Sequence, residues 1–320
     1  MDLIYMNPAH EDIGVLHDYK LDLAYGESEN DFELQMPADA HCCEKDFSIY
    51  IEGTEYGGIV DEIASDTEFE IVTYTGRTWH GLLNSKIIEP DAGQDYLTVK
   101  GEANTIIGEL IARLGLSEMF AVSTEDSGVN ISTYKMNRYI PAYEGIRKML
   151  KTEGGKLRFT FKGGKIILSA HPRGDYTQDG NLDSDLIDLK VKRYYNPVNH
   201  LICLGRGELA GREVIHLYSD ADGNISHTQT FTGIDERAEV YENTNAESLE
   251  DLENGGIDRL KELAQADEVD VALDEDNEQY EIQDLVGATD NITGLTVSAE
   301  ITKKIVTIDN GQVTISYKVG

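Results

Sequence analysis

The sequence predicts an α+β protein that is mainly β, with two small antiparallel β-barrel-like domains and an intervening α/β module. Most segments alternate apolar and polar residues at period two, which is typical of strands with one buried face. Helical spacing of apolar residues is confined to a few segments after residue 76. A chain of 320 residues with 40% hydrophobic content is long enough to bury more than one core.

The distribution of charge sets the predicted domain boundaries. Residues 1–100 contain 22 acidic and 5 basic residues, for a net charge of −17. Residues 101–210 contain 13 and 15, for +2, and residues 211–320 contain 25 and 7, for −18. Two acidic regions therefore flank a nearly neutral one. We expect an N-terminal β-barrel-like domain at 1–100, an α+β middle module at 101–185, and a second β-barrel-like domain with one long helix at 186–320.

The first predicted domain is an antiparallel meander. Two strands are expected near the N-terminus, followed by a hairpin whose arms meet at Gly53, because alternating residues stand on both sides of a short glycine-containing turn. A further strand adds to this hairpin, and such a sheet with one apolar face commonly closes into a small barrel or sandwich. The expected strands are 2–6, 20–23, 47–51, 56–63 and 69–75, with a polar loop at 26–30.

A strand-to-helix turn follows at Gly76. Trp79, Leu82 and Leu83 stand at i, i+3 and i+4, which predicts a short helix with one apolar face that covers the sheet. Trp79 is the only tryptophan of the chain, and its alternative role is to stack on a sugar. A lone tryptophan with two leucines at helical spacing favours the core. Arg77 is expected to pair with a nearby carboxylate and carbonyl groups rather than to act in catalysis.

The middle module introduces helices. Asn104 is the predicted N-cap of a first helix, and Gly115 ends it in the C′ position. A second helix is expected to begin near Pro141 and to end at Gly154-Gly155. Alternating residues on both sides of Gly163-Gly164 then predict a hairpin with a two-residue turn. The apolar stripes of the two helices are Ile106, Ile107, Leu110, Ile111 and Leu114 for the first, and Ile146, Met149 and Leu150 for the second.

The last region returns to strands around one long helix. Thr244 and Glu247 form a predicted capping box, and leucines mark the apolar stripe that follows. Gly255-Gly256 in the centre weakens helix formation by about 1 kcal/mol per glycine relative to alanine, so a kink is expected there. Asn310-Gly311 is a strong hairpin signal near the C-terminus. Strands are expected within 186–194, 200–207, 213–220, 225–231, 295–308 and 312–319.

Composition excludes several classes of function. The chain has 60 acidic and 27 basic residues, for a net charge of −33, and this excess of carboxylate repels nucleic acid and anionic lipid. No apolar run approaches the roughly 20 residues that span a bilayer, and the first residues lack the features of a signal peptide. We therefore expect no stable nucleic-acid binding, no membrane insertion and a cytoplasmic origin. Three cysteines do not make a disulfide framework.

Metal sites are not expected. His41-Cys42-Cys43 lacks the paired spacing of zinc ligands, and the third cysteine, Cys203, lies in an apolar strand. Asp220, Asp222 and Asn224 have the spacing of a calcium loop, but Ile225 and Phe231 replace the required glycine and glutamate, which favours a hairpin turn. Asp274, Asp276 and Glu278 fail in the same way, with Gln279 and Leu285 at those two positions.

Catalytic and cofactor motifs are not expected either. Gly205, Gly207 and Gly211 have the wrong spacing for a dinucleotide loop and lie in a strand pattern. The sequence contains no G-x-S-x-G, H-E-x-x-H or Walker motif. Pairs of carboxylates are unavoidable among 60 acidic residues, so they do not indicate a glycosidase. We therefore expect no enzyme activity and no cofactor.

Two segments carry a resemblance to a known family. GTEYGGIVDEI at 53–63 and FEIVTYTGRTWHGLLNSKIIEP at 69–90, with the order of elements after them, resemble the hub or tail-tip proteins of long-tailed bacteriophages. Members of this family commonly show a hairpin with a Gly-Gly pair, then a strand and a G-R-x-(aromatic or Leu)-x-G-L-L turn. LICLGRGELAGREVIHLY at 201–218 is similar to the second barrel of the family. The matching motif residues are Gly57, Gly58, Gly76, Arg77, Trp79, Leu82 and Leu83.

This resemblance implies a non-enzymatic structural hub. Such hubs are homotrimers that adapt a six-fold tail tube to a three-fold tip and form part of the DNA passage. The implied partners are further copies of the chain, the tail tube or distal tail protein, and tail-tip or fibre proteins, with assembly in the host bacterial cytoplasm and a final place in the virion tail. The alternative is a tail-associated cell-wall hydrolase or a receptor-binding tail protein. The chain stops at Gly320 after a hairpin, without the extension expected of that alternative.

Overall fold

A computed structural model describes residues 1–177, 182–183, 188–193, 195, 197–221, 223–246, 248–264, 267–275, 280–289, 292–309 and 311–320. The fold is α+β and mainly β, which confirms the predicted class. The α-helices are α1 (Trp79–Asn84), α2 (Ala103–Arg113), α3 (Ala142–Lys151) and α4 (Leu249–Leu263). Short 3-10 helices span Ala38–Ala40, Leu209–Gly211 and Gly233–Asp235.

The strands are short and follow one another closely along the chain. The first fourteen are β1 (Leu3–Met6), β2 (Asp12–Leu16), β3 (Lys20–Gly26), β4 (Asp31–Pro37), β5 (Ser48–Tyr50), β6 (Gly57–Asp66), β7 (Ile71–Thr78), β8 (Ile87–Ile88), β9 (Leu97–Glu102), β10 (Phe120–Val122), β11 (Asn130–Met136), β12 (Ile140–Pro141), β13 (Gly155–Lys162) and β14 (Lys165–Pro172). The others are β15 (Asp175–Tyr176), β16 (Leu182–Asp183), β17 (Asp188–Arg193), β18 (His200–Leu204), β19 (Val214–Ser219), β20 (Ile225–Ser226), β21 (Ala238–Glu242), β22 (Asp267–Glu275), β23 (Leu285–Thr289), β24 (Thr296–Asp309) and β25 (Gln312–Val319).

One long sheet, mainly antiparallel, joins the two ends of the chain. Its main path runs in the order β17, β22, β25, β24, β3, β4, β7, β6, β5, β1 and β2. Beside this path, β23 pairs with β24 and, in parallel, with β15 and β16. The C-terminal strand β24 pairs with β3, with Thr307 opposite Asp22. The described strands form no closed barrel, in contrast to the closure expected for residues 1–100. The physical reason is that β24 extends the N-terminal meander sideways instead of leaving β3 free to close it.

The contacts divide the chain into two compact units. The first unit comprises Met1–Leu189 with Asp270–Gly320, and the second comprises Lys190–Val269. In this grouping the last strands belong with the first ones because they pair with them, and the three-part division from charge stays a prediction. The second unit has a four-stranded sheet, in the order β20, β19, β18 and β21, on which α4 packs.

The core of the first unit forms around α1, α2, α3 and the β13–β14 hairpin. α3 begins directly after Pro141, as predicted, and Gly163 and Gly164 supply the positive φ angles of the predicted hairpin turn. α2 differs from the prediction at its start, because the N-cap is Glu102. Asn104 is instead buried, and its side-chain amide bonds the backbone of Glu125 and Ala170.

The glycine pair in α4 allows close packing and does not interrupt the helix. A Cβ on Gly256 would lie 2.4 Å from Sγ of Cys203, so α4 lies against β18 at a distance that only glycine permits. α4 is continuous through this point. Its N-cap is Ser248, whose hydroxyl accepts a hydrogen bond from the N–H of Asp251, and not the predicted Thr244. Glu247 of the predicted capping box lies outside the described residues.

The remaining hairpin predictions are confirmed where the structure describes them. β5 and β6 pair across the turn at Gly53, and β24 and β25 pair with Asp309 opposite Gln312. Asn310 itself lies outside the described residues. Within the described part of the chain, no helix has the length and apolar character needed to cross a membrane.

Candidate functional site

The predicted glycine motif lies where β6, β7 and α1 meet. Each of its glycines stands where the Cβ of any other residue would overlap a neighbouring atom. The added Cβ would lie 2.3 Å from the carbonyl oxygen of Arg77 at Gly58, and 1.9 Å from that of Ile59 at Gly76. At Gly57 it would lie 2.7 Å from the Trp79 ring. The glycines therefore let two strands and an indole ring approach closely.

Replacing Gly76 with alanine is expected to lower the free energy of unfolding by about 2–3 kcal/mol, because the strand must shift away from the Ile59 carbonyl. Gly108 in α2 is a matched control, since a Cβ there meets nothing within 4 Å and alanine favours the helix by about 0.5–1 kcal/mol. Urea denaturation of both variants measures the two effects. Equal effects of the two substitutions would show that close approach at Gly76 is unimportant.

Trp79 and its leucines belong to the core of the first unit. Trp79 is 1% exposed, Leu83 0% and Leu82 8%. The Trp79 ring stacks on Phe161 of β13 with their centroids 5.5 Å apart. The Thr78 side chain caps α1 by accepting a hydrogen bond from the N–H of Gly81. A ring so buried has no face available to a sugar, so the interpretation of Trp79 as a core residue is confirmed.

Arg77 lies at the surface and pairs with a carboxylate, as predicted. Its Nε is 2.7 Å from Oδ2 of Asp61 and its Nη2 is 2.7 Å from Oδ1, which is a bidentate arrangement. Nη1 also donates to the hydroxyl of Ser85. The hydrogen bonds from Arg77 lower the pKa of Asp61 despite partial burial. This pair ties β7 to the bulge in β6 and leaves no free base or nucleophile.

A buried ion pair lies beside α1. Nζ of Lys304, which is 1% exposed, is 2.7 Å from Oε1 of Glu55. Nε2 of His80, which is 2% exposed, lies 3.4 Å from the other oxygen of Glu55. Burial, and then the charges of Lys304 and Arg147, hold the pKa of His80 well below its usual value. His80 is therefore neutral at pH 7, and Lys304 is the cation that balances Glu55.

A second buried cluster joins β13 to the segment before β23. Nζ of Lys156 is 2.8 Å from Oδ1 of Asp284, which is 0% exposed. Asp284 also accepts hydrogen bonds from the backbone N–H groups of Gly174 and Glu281. Glu281 pairs with Lys156 and, through both carboxylate oxygens, with Arg158. Both carboxylate oxygens of Asp284 therefore accept hydrogen bonds from groups of the same chain.

A cavity of about 150 Å³ connects the buried ion pair with the second buried cluster. We name the residues of both groups the ionic cluster: Glu55, His80, Lys304, Lys156, Arg158, Glu281 and Asp284. Glu55, His80, Arg158 and Glu281 line this cavity. The residues of the ionic cluster come from the turn before β6, from α1, from β13, from the segment before β23, and from β24. The ionic cluster therefore links the N-terminal, middle and C-terminal parts of the first unit. Sequence reasoning did not identify it.

Acid is expected to destabilise the first unit, because two of its carboxylates, Glu281 and Glu102, have lowered pKa values and lose their charge over the same pH range. Burial opposes ionisation of Glu281, but Arg158 and Lys156 outweigh it and lower the pKa to about 2 from 4.5. Burial likewise opposes ionisation of Glu102, while hydrogen bonds from Ser127, Asn104 and Thr105 lower the pKa to about 2. Because both values are depressed on folding, their stabilisation is complete above about pH 4.5 and is lost as the pH falls towards about 2.

The measurement is the free energy of unfolding between pH 7 and pH 2. Glu102→Gln should flatten the curve below pH 4.5, whereas Glu109→Gln, an exposed position on the same helix, should leave it unchanged. A curve with the same slope in both variants would contradict the assignment to Glu102.

The histidine and cysteines named as metal candidates in the sequence lie beside Tyr74. His41 Nδ1 lies 2.6 Å from the Tyr74 hydroxyl, and the sulfur atoms of Cys42 and Cys43 are 3.8 Å apart. Burial raises the pKa of both thiols, so they remain neutral. The described residues contain no group of three or more His, Cys, Asp or Glu side chains that could hold a metal ion. Of the two predicted acidic loops, Asp222, Asp276 and Glu278 lie outside the described residues.

Three solved structures share the fold of essentially the whole chain. The 43 kDa tail protein of prophage MuSo2 from Shewanella oneidensis has a TM-score of 0.56 and 14% identity, and the match covers 100% of this chain and 98% of that chain. A tail protein from Neisseria meningitidis has a TM-score of 0.53 and 10% identity, covering 99% and 95%. Prophage tail protein gp18 from Listeria monocytogenes has the same score and identity, covering 99% and 94%. No family model and no curated protein matches the sequence.

Proposed function

We propose that this chain is a structural hub at the tip of a phage or phage-like tail, where it adapts the six-fold tail tube to a three-fold tip. The observation that carries the proposal is the fold match to three proteins described as tail proteins, which extends over at least 94% of each chain. A match of this extent concerns the whole architecture and not one common domain. The glycine and tryptophan motif supports the narrower assignment to the hub through its resemblance to hub sequences.

The proposed partners follow from this position. The chain assembles with two further copies as a homotrimer, contacts the tail tube or distal tail protein on one side, and contacts tail-tip or fibre proteins on the other. Assembly takes place in the bacterial cytoplasm before the hub becomes part of the virion tail. The role is non-enzymatic. The motif residues Gly57, Gly58, Gly76, Trp79, Leu82 and Leu83 act by shaping the packing of β6, β7 and α1, and Arg77 acts by tying β7 to β6 at the surface.

The charge of the chain suits a DNA passage. DNA carries one negative charge per about 1.7 Å of its axis, so a passage lined with lysine or arginine would hold it by counterion release. The chain has a net charge of −33, and many of its cations are already paired with carboxylates of the same chain. We therefore propose that carboxylates line the passage and let DNA slide. The simpler alternative is that this charge only keeps the outer surface soluble.

At the high local concentration of the particle the chain is expected to form a trimer, with interfaces that bury more than about 2,000 Å² per contact, as obligate oligomers do. Light scattering over a concentration series measures the mass. A peptidoglycan release assay on the same sample tests the rival function, and the proposal predicts no turnover. A monomer at every concentration that also releases peptidoglycan fragments would replace the hub with a tail-associated hydrolase.

A further inference from the structure

The outer end of the β6–β7 hairpin projects as an exposed arm, which we define as residues 61–70. All ten residues are exposed. Two of them are large and apolar: Ile63 is 51% exposed and Phe69 is 70% exposed. Burial of such side chains is the main favourable term in association, and aromatic residues are enriched at interfaces. The arm also carries five carboxylates and no cation, namely Asp61, Glu62, Asp66, Glu68 and Glu70.

The arm is held in one conformation. Oδ1 of Asp66 accepts hydrogen bonds from the backbone N–H groups of Glu68 at 2.8 Å and Phe69 at 3.1 Å. Glu70 has a φ of +54°, and its carbonyl accepts a hydrogen bond from the N–H of Ala38. β6 remains paired with β7 as far as Asp66. Phe69 is therefore presented at a rigid turn, which reduces the entropy lost when a partner binds it.

A partly apolar groove lies at the other end of the same hairpin. It has a volume of about 310 Å³ and an apolar floor formed by Ile59, Leu116, Met119 and Phe120. A dry apolar cavity of about 150 Å³ is enough for benzene, so a phenyl ring fits this groove. Lys86 lies at its rim, and among the described residues no carboxylate pairs with its ammonium group. The rim also includes His10, Arg77 and Glu118.

The base of the arm touches the groove of its own chain, because Asp61 pairs with Arg77 at the rim, but the tip with Phe69 cannot reach that groove. Asp66 in the arm lies seven positions after Ile59 in the groove, which is about 23 Å along an extended strand. The pairing of β6 with β7 prevents the tip from folding back over this distance. An occupied groove therefore requires the arm of a second molecule.

We propose that the arm of one copy docks into the groove of the next copy, with the Phe69 ring on the apolar floor and the carboxylates beside it facing Lys86. The contact is heterologous, because the arm and the groove are different surfaces, and such a contact forms a ring where its rotation closes, as the proposed trimer requires. It rests on the proposed homo-oligomeric hub and identifies the surfaces that would hold the copies together.

Sedimentation of matched variants tests the proposal. Phe69→Asp removes a functional arm and Met119→Asp removes a functional groove, and each alone should weaken self-association at least about 30-fold. Mixing the two variants should restore one good contact, between the intact arm of Met119→Asp and the intact groove of Phe69→Asp. The mixture should therefore form a 1:1 dimer that grows no further. Leu209→Asp, which changes a residue that is 94% exposed and lies in neither surface, should associate like the wild-type chain.

Circular dichroism and thermal unfolding of each variant show whether it is still folded when association is lost. Lys86→Glu changes an exposed residue at the groove rim, so this variant tests the groove without disturbing the core. Wild-type association that persists in Phe69→Asp would overturn the arm proposal and leave the hub function intact. Variants that lose association but show no complex on mixing would also overturn it. Failure of the hub function would appear separately, as absence of the wild-type chain from the tail tip.

Discussion

Trp79→Ala is expected to lower the free energy of unfolding of the first unit by about 3–5 kcal/mol. The substitution removes an indole that is 1% exposed and leaves a cavity beside Phe161. The closely packed glycines around the ring limit how far the cavity can collapse, since Gly57 has no side chain to fill it. Urea denaturation followed by circular dichroism measures the loss.

Trp79→Phe is the matched control. Trp79 Nε1 has no hydrogen-bond partner among the described residues, so phenylalanine keeps an aromatic ring and removes no hydrogen bond that the structure describes. We expect a clearly smaller loss than for alanine. Emission of the single tryptophan should also lie at short wavelength in the folded wild-type chain. A loss below about 1 kcal/mol for Trp79→Ala, or emission typical of water, would place this ring on a surface.

Asp284→Ala is expected to cost about 3–5 kcal/mol, because it leaves the ammonium of Lys156 buried with one of its two carboxylate partners removed. The backbone N–H groups of Gly174 and Glu281 lose their acceptor at the same time. Unfolding followed by Trp79 fluorescence reports on the same unit. Salt should change the effect little, since buried pairs are screened much less than exposed ones.

Asp91→Ala provides the comparison at the surface. Asp91 also pairs with a cation, Arg113, at 2.6 Å, but its side chain is 61% exposed. Exposed pairs contribute about 0–1 kcal/mol, so this variant should remain close to the wild-type chain. Similar losses for Asp284→Ala and Asp91→Ala would mean that the ionic cluster does not hold the three parts of the first unit together.

Local elements of the fold were predictable because their signals are local. The β5–β6 hairpin follows from Gly53, α3 from Pro141, and the β13–β14 turn from Gly163-Gly164. The pairing of β24 with β3 was not predictable, because alternation identifies a strand but not its partner in a distant segment. Which segments form one compact unit cannot be predicted without this pairing, since it brings the last strands to the first ones.

The ionic cluster could have been found from one signal. Lys304, Val306 and Ile308 stand at period two on the buried face of β24, and a lysine in such a series requires a buried partner. The partner could not be named, since Glu55 lies 249 residues away. The uneven charge of the sequence is partly balanced in the fold. Cations of the middle region pair with carboxylates of the two acidic regions: Arg147 with Glu27, Lys151 with Glu300, and Lys156 with Asp284.

The most direct test of the hub is electron microscopy of the particle that contains this chain, with an antibody to the chain as the label and a three-dimensional reconstruction of the tail end. The proposed function predicts label at the tip of the tail, three copies around the axis below the six-fold tube, and carboxylate side chains on the wall of the central passage. Label along the tail shaft or on the head, or its absence from the particle, would contradict the proposed function. A neutral or basic passage wall with three copies in place would contradict only the sliding of DNA on carboxylates.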